Sequence, residues 1–176
     1  MVQLSDIILS EYASQASEIK GFGEEFRWLS NFFEIEPFEY QGIKYKTTEN
    51  FYQSMKTFDR EVRIHIAGLS PGKAKRFASP EKNNFVQRED WIDIKLLVME
   101  YALREKFSQE KCKKLLLSTR NIYIEETNNW NDTFFGCTLD GKGENNLGKL
   151  IMKLRSELTS DINLIQNNMD TLAFKF

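Results

Sequence analysis

Residues 91–107, WIDIKLLVMEYALREKF, form the longest amphipathic run of the chain and decide its fold class. Asp90 stands just before the run, where a helix of this kind begins. Five residues of the run share one face on a helical period: Trp91, Ile94, Val98, Tyr101 and Ala102. We therefore predict a long helix that packs on the core through this face.

Shorter segments on both sides of this run also have helical patterns. Helix starts are predicted at Thr47 or Thr48, at Asp59 and at Ser70-Pro71. Two further helices are predicted over residues 109–118 and about 147–158. The β-structure is limited to a hairpin around Gln41-Gly42 and a strand over 121–125. Residues 21–37, GFGEEFRWLSNFFEIEP, are dense in aromatics and broken by glycine, which predicts a loop. The expected fold is mainly α with a few short β-strands in a single domain.

The composition excludes several classes of protein. His65 is the single histidine and Cys112 and Cys137 are the only cysteines, so a clustered zinc site and a disulfide framework are not expected. A net charge of −2 argues against a broad basic face for nucleic acid. No stretch reaches the roughly 20 apolar residues of a membrane helix, and the N-terminus lacks signal-peptide character, so we expect a cytoplasmic protein. Any catalysis must depend on carboxylates, amides and lysine.

The segment TTENFYQSMKTF (47–58) carries one candidate site. Glu49, Gln53 and Lys56 follow at i, i+4 and i+7 on one helix face, with Tyr52 beside them. This spacing fits a solvated face with a Glu–Lys pairing network. It also fits a catalytic stripe in which an acid, an amide and an amine converge on a sugar.

A second candidate lies in the segment 125–146. Glu125, Asp132, Asn145 and Asn146 stand there among glycines, which suits a ligand-binding loop and equally an ordinary turn. Glu49 and Asp132 together would suit hydrolysis of an N-glycoside, because a carboxylate stabilises the cationic sugar while another activates water. Lys56 offers a second route, in which its amine traps the ring-opened sugar as a Schiff base. The residues leave both routes open.

An ordered series of motifs resembles the NADAR or YbiA-like family. It begins at LSNFF (29–33), continues through GIKYKTTENFYQSMK and REDW (88–91), and ends with NDTFFG, GKGENNLG and IMKLRSEL. The resemblance runs almost continuously from about residue 20 to 158. It implies a YbiA-like domain over 19–160, flanked by a helical extension over 1–18 and an appendage over 161–176.

The resemblance also implies an activity. Members of this family look like N-glycosidases, and we expect no cofactor and no metal in this chain. Some hydrolyse riboflavin-pathway intermediates such as 5-amino-6-(5-phosphoribosylamino)uracil, and others remove ADP-ribose from guanine in DNA or RNA, in some cases beside an ADP-ribosylating toxin. Both substrates join a phosphorylated ribose to an amine of a base. The alternative is a non-catalytic module that binds ADP-ribose-like ligands.

The residues of the family's site can be carried over by position. The implied catalytic residues are Glu49, Asp132 and Lys56. The implied substrate-binding residues are Ser30, Asn31, Phe32, Tyr52, Gln53, Arg88, Trp91, Glu125, Phe135, Gly136, Asn145 and Gly148. In this assignment Trp91 and Phe135 wall the base, and Arg88 with a basic residue near 73–76 holds phosphate.

Three positions depart from the family pattern. Asn50 replaces the histidine that usually follows the helix glutamate, and Phe135-Gly136 replaces a Trp-Gly pair. The loop between Glu125 and Asp132 is about two residues longer than expected and carries Trp130, which could stack on a nucleobase. These departures bear on the substrate more than on the reaction.

Overall fold

The computed structural model describes residues 17–81, 83 and 85–173, with side chains described up to residue 161. The chain divides into two compact units. The middle unit is Phe22–Gln109, and the terminal unit combines the chain up to Gly21 with the chain from Glu110 onward. The helical extension predicted over 1–18 lies outside the described residues except for its last two positions.

The middle unit holds a hairpin and four α-helices. Its elements are a 3-10 helix at Glu24–Leu29, strands β2 (Phe38–Tyr40) and β3 (Ile43–Tyr45), and helices α1 (Thr48–Ser54), α2 (Arg60–Gly68), α3 (Pro71–Phe77) and α4 (Trp91–Ser108). The predicted hairpin is confirmed: β2 and β3 pair antiparallel, and both Gln41 and Gly42 have positive φ, as a tight hairpin turn requires.

Local capping explains where these helices begin. The Thr47 hydroxyl accepts from the backbone N–H of Asn50, and the Asp59 carboxylate accepts from the N–H groups of Glu61 and Val62. Pro71 opens α3 at a position where a missing N–H costs nothing. All three predicted starts are confirmed. The predicted end of α1 is wrong, since the helix stops at Ser54 and does not continue to Phe58.

The long helix α4 is confirmed, and its buried face is only partly the predicted one. Trp91 and Ala102 are buried, whereas Ile94, Val98 and Tyr101 are half-buried. The face extends instead through the second half of the helix, where the buried residues are Met99, Leu103, Lys106 and Phe107. Lys106 could not be recognised as buried from its residue type, because lysine is almost never fully buried without a partner.

The loop predicted over residues 21–37 is wrong for its first half. Glu24–Leu29 form a 3-10 helix, and Trp28 and Leu29 are among the most deeply buried side chains of the protein. Trp28 packs edge-on against Phe107 of α4, with 6.5 Å between ring centroids. These apolar residues follow no helical or strand period because the helix is a short 3-10 turn.

The described part of the terminal unit contains two short parallel strand pairs and two helices. Its elements are β1 (Glu18–Lys20), β4 (Tyr123–Glu125), β5 (Thr127–Asn128), β6 (Cys137–Thr138), α5 (Glu110–Ser118) and α6 (Asn146–Ala173). Strand β1 pairs with β4, and β5 pairs with β6. The predicted strand near 121–125 and the helix at 109–118 are confirmed. Helix α6 continues past the predicted end at 158, into the segment predicted as an appendage.

The prediction of a mainly helical fold with a few short strands is therefore confirmed. Within the described residues, no helix is both long enough and apolar enough to cross a membrane. The division into extension, domain and appendage stays a prediction.

Candidate active site

Helix α1 of the middle unit places an acid and an amide together. Glu49 is buried, with 5% of its surface exposed, and its Oε1 accepts a hydrogen bond of 2.8 Å from Gln53 Nε2. The backbone N–H of Glu49 donates to the carbonyl of Asn31 at 3.0 Å. The stripe is thus buried, and the interpretation of residues 49–53 as a solvated face is wrong.

The Gln53 side chain has one unused acceptor. Gln53 is 3% exposed, and among the described residues its Oε1 is buried without a hydrogen-bond partner. A buried carbonyl oxygen without a donor costs stability, commonly about 1–3 kcal/mol. A ligand could supply the missing donor, for example a sugar hydroxyl or an amine.

Lys56 lies just beyond α1, in the turn that follows it. Its Nζ is 5.7 Å from the Tyr52 ring centroid and 5.8 Å from the Trp91 ring centroid, and it donates to the Ala78 carbonyl at 3.4 Å. The Tyr52 and Trp91 rings themselves meet edge to face at 4.9 Å. The sequence predicted Lys56 on the same helix as Glu49, but the helix ends before Lys56. The Glu49 carboxylate is nevertheless close enough to raise the pKa of Lys56 by its charge.

Burial lowers the pKa of the Lys56 ammonium below its ordinary value. The Glu49 carboxylate opposes this effect, and the positive charge of Lys75 on α3 adds to it. The net direction is downward, so a larger share of Lys56 is neutral near neutral pH than for an exposed lysine. A neutral amine is the form that attacks a sugar carbon.

A buried lysine holds the loop that carries Ser30 and Asn31. Lys106 Nζ donates to the carbonyls of Leu29 and Ser30 at 3.2 and 2.8 Å. Asn31 in turn accepts from the Glu49 N–H through its carbonyl, so Lys106 acts on the position of Glu49 through this loop. The sequence did not reveal this role, because Lys106 and Leu29 are 77 residues apart.

Hydrogen bonds of Ser30, Asn31 and Phe32 mainly stabilise this loop and its contact with α1. The Ser30 hydroxyl accepts from the N–H of Phe32 at 3.1 Å, and the Asn31 side-chain oxygen accepts from the Thr48 hydroxyl at 3.1 Å. Phe32 is half-buried. Their predicted role in substrate binding stays a prediction, and they support α1 in any case.

Asn50, at the position where the family pattern has histidine, has a structural role. It is 2% exposed, and its Nδ2 donates to the carbonyls of Ile66 and Leu69 at 2.7 and 2.9 Å. Asn50 therefore ties α1 to the end of α2. The exchange of histidine for asparagine leaves the Glu49–Gln53 hydrogen bond intact, so it is no sign that this group has decayed.

Arg88 is engaged by a neighbouring acid. Its Nε and Nη2 form a bidentate pair with Asp90 at 2.5 and 2.7 Å, and its guanidinium lies 4.1 Å from the Phe58 ring centroid. Asp90 raises the pKa of Arg88, and Arg88 lowers the pKa of Asp90 through the same hydrogen bonds. Phosphate binding by Arg88 stays a prediction, and a phosphate would share the guanidinium with Asp90.

In the terminal unit, Asp132 belongs to a loop organised by Asn128. The buried Asn128 side chain accepts from the N–H groups of Trp130 and Asp132 and donates to the carbonyls of Asp132 and Cys137. Asp132 is half-buried, and its Oδ1 accepts from the N–H groups of Phe134 and Phe135 at 3.1 and 2.9 Å. The loop therefore fixes the carboxyl group of Asp132 through only one of its two oxygens.

Asn145 and Gly148 join the start of α6 to strand β4. Asn145 is 2% exposed; its Oδ1 accepts from the Glu126 N–H, and its Nδ2 donates to the Ile124 carbonyl at 2.9 Å. A Cβ at Gly148 would stand 2.2 Å from the Ile124 carbonyl oxygen, so only glycine fits. The ligand-binding role predicted for both stays a prediction beside this packing role.

The remaining predicted residues surround the same loop. Glu125 accepts from the hydroxyls of Tyr123 and Thr127 at 3.1 and 2.7 Å. Phe135 is buried, and at Gly136 a Cβ would stand 2.2 Å from the Glu126 carbonyl oxygen. Trp130 is 57% exposed at the tip of the lengthened loop, as a ring that stacks on a base would have to be.

Several known proteins are similar to this chain in sequence. A model of the NADAR domain matches residues 16–159. N-glycosidase YbiA of Shigella flexneri serotype 5b is 31% identical over 157 residues, covering 88% of this chain and 91% of that protein. N-glycosidase YbiA of Escherichia coli K12 is 35% identical over 124 residues, covering 69% of this chain and 76% of that protein.

Two further relatives point in the same direction. The chloroplastic riboflavin biosynthesis protein PYRR of Arabidopsis thaliana is 45% identical over 109 residues, which are 60% of this chain and 18% of that protein. The NMR structure of Escherichia coli YbiA superposes with a TM-score of 0.71 at 30% identity, over 85% of this chain and 92% of that one. The prediction of a YbiA-like fold is confirmed.

Proposed function

Because the chain belongs to the NADAR family and is a hydrolase of N-glycosyl compounds, we propose that it cleaves the bond between a phosphorylated ribose and an amine of a base. One observation carries the proposal. In the middle unit a buried carboxylate (Glu49), an amide with an unused acceptor (Gln53) and an amine of lowered pKa (Lys56) occur together beside two aromatic rings.

Each group suits one step of such a reaction. The Glu49 carboxylate stabilises positive charge at C1 and orients water, and Gln53 holds that carboxylate through Nε2 while its Oε1 accepts from a sugar hydroxyl. Tyr52 and Trp91 wall the sugar or the base. Asp132 supplies the second carboxylate in this proposal.

Lys56 provides a covalent route. Its neutral nitrogen adds to C1 of the ring-opened sugar, the base amine leaves with a proton, and a C=N bond to Lys56 forms. Water then adds to that bond, releasing ribose phosphate and restoring the free amine. The lowered pKa and the aromatic surroundings of Lys56 support this route over one that uses a permanent cation.

We expect a pH dependence that follows the Lys56 amine. The neutral fraction grows as the pH rises through the lowered pKa, so turnover should rise along a limb that lies below the pKa of an ordinary lysine. Lys56→Arg keeps a cation, so its turnover should be at least about a hundredfold lower. The rise of turnover with pH should also disappear in this variant. Steady-state rates between mildly acidic and alkaline pH measure both.

Borohydride added during turnover completes this test. A reduced adduct on Lys56, with the mass of the sugar phosphate, is expected for the wild-type protein and not for Lys56→Arg. Turnover without an adduct, and with an unchanged pH limb in Lys56→Arg, would remove Lys56 from the mechanism. Lys44→Arg is the matched control, because Lys44 is an exposed lysine of the same unit.

Parallel incubations test the function and its substrate. The uracil intermediate of the riboflavin pathway and DNA carrying ADP-ribosylated guanine are offered separately, and released ribose 5-phosphate or ADP-ribose is measured by mass spectrometry. We expect release from at least one, with the exposed ring of Trp130 favouring the guanine substrate. Release from neither, with intact folding, would contradict the proposed function. Association with an ADP-ribosylating toxin stays a prediction.

A further inference from the structure

A cavity of the middle unit lies next to Lys56, and neither Glu49 nor Gln53 lines it. It has a volume of about 580 Å³, within the roughly 300–1,000 Å³ of small-molecule pockets. Its lining residues are Thr57, Phe58, Asp59, Val62, Phe77, Asn83, Phe85, Val86, Gln87 and Arg88. We call it the aromatic cavity.

Three segments join the aromatic cavity to Lys56. Thr57 directly follows Lys56, and the backbone N–H of Arg88 donates to the Lys56 carbonyl at 2.8 Å. Phe77 directly precedes Ala78, whose carbonyl accepts from Lys56 Nζ. A ligand whose sugar reached Lys56 could therefore extend another of its groups into this cavity.

The chemistry of the lining favours a planar ring. Phe77 and Phe85 meet edge to face at 6.1 Å, and the Arg88 guanidinium lies over Phe58 at 4.1 Å. Phe58 is 69% exposed, so a ligand can reach its ring. Stacking on such rings is independent of the identity of the base.

Polar groups at the same cavity exclude a purely apolar occupant. The Gln87 side chain makes no hydrogen bond among the described residues, so its amide can both donate to and accept from the edge of a ring. Arg88 adds a cation that is paired with Asp90, and Asp59 adds an exposed carboxylate whose Oδ1 caps α2. A hydrocarbon chain would leave the Gln87 amide unused, and a second sugar would not use the phenyl rings.

We propose that the aromatic cavity binds a heteroaromatic ring, a nucleobase of a nucleotide, that is distinct from the base whose glycosidic bond is cut. The proposal rests on the proposed function only in that both rings belong to one ligand. It predicts that the protein distinguishes a sugar phosphate bearing a base from the same sugar phosphate without one.

Calorimetry with two probes tests this proposal. AMP and ribose 5-phosphate are titrated separately into the wild-type protein, Phe58→Ala and Phe58→Trp. We expect AMP to bind more tightly than ribose 5-phosphate, to lose about tenfold in affinity in Phe58→Ala, and to recover in Phe58→Trp. Ribose 5-phosphate should bind all three proteins alike. Leu97→Ala is the control, because Leu97 is a similarly exposed apolar residue of the same unit, at 67%.

Each contrary outcome has a distinct meaning. Equal binding of AMP by the wild-type protein and Phe58→Ala, or an equal loss for both probes, would overturn the assignment of the cavity to a base. Binding of AMP that depends on Phe58 in a protein without glycosidase turnover would support the cavity and contradict the proposed function. Because Phe58 is mostly exposed, its replacement should leave folding intact.

Discussion

Glu49→Gln should lower turnover of the phosphoribosyl substrate about a thousandfold and leave the fold intact. The amide that replaces the carboxylate keeps an oxygen for the hydrogen bond from Gln53 Nε2 and for the packing of a residue that is 5% exposed. It removes the negative charge that stabilises the cationic sugar. Single-turnover rates of ribose-phosphate release measure the loss.

The control for this variant is Glu61→Gln. Glu61 lies exposed in the first turn of α2, so the same chemical change there should leave turnover unchanged. Thermal unfolding of both variants separates a loss of chemistry from a loss of structure. A fully active Glu49→Gln protein would show that the buried carboxylate has no part in the reaction.

Helix starts could be predicted from the sequence because they depend on neighbouring residues. Asp59 and Ser70-Pro71 mark the first turns of α2 and α3 through caps and a fixed φ, and these interactions span two or three positions. Strand β1 could not be predicted. Its partner β4 is more than a hundred residues further along the chain, and a strand of three residues has no readable period.

The candidate site also has features that the sequence could predict and features that it could not. The i, i+4 spacing of Glu49 and Gln53 predicted a contact that exists as a hydrogen bond. The burial of that pair, the unused oxygen of Gln53 and the lysine beneath the loop depend on tertiary packing. Lys106 shows the reason: its partners are backbone carbonyls, which leave no signature in the residue types. Residue spacing and family resemblance therefore supplied the candidate residues, and the structure supplied their surroundings.

Asp132→Asn should lower turnover at least about a hundredfold while the loop keeps its conformation. Asp132 Oδ1 accepts from the N–H groups of Phe134 and Phe135, and an asparagine oxygen can accept the same two hydrogen bonds. Only the charge is lost. Asp140→Asn is the matched control, since Asp140 is an exposed acid in the same unit whose carboxylate accepts from Thr138 and pairs with Lys142.

Asp132→Ala distinguishes the chemical role of this carboxylate from its structural one. Alanine removes both the charge and the acceptor of two backbone N–H groups, which should cost about 1 kcal/mol in the free energy of unfolding, as the loss of a helix cap does. If Asp132 acts only through the loop, Asp132→Asn will be active and Asp132→Ala will be slow. If it acts on the substrate, both will be slow and only Asp132→Ala will be less stable. We expect the second result, which denaturant unfolding and rate measurements on the same samples can establish.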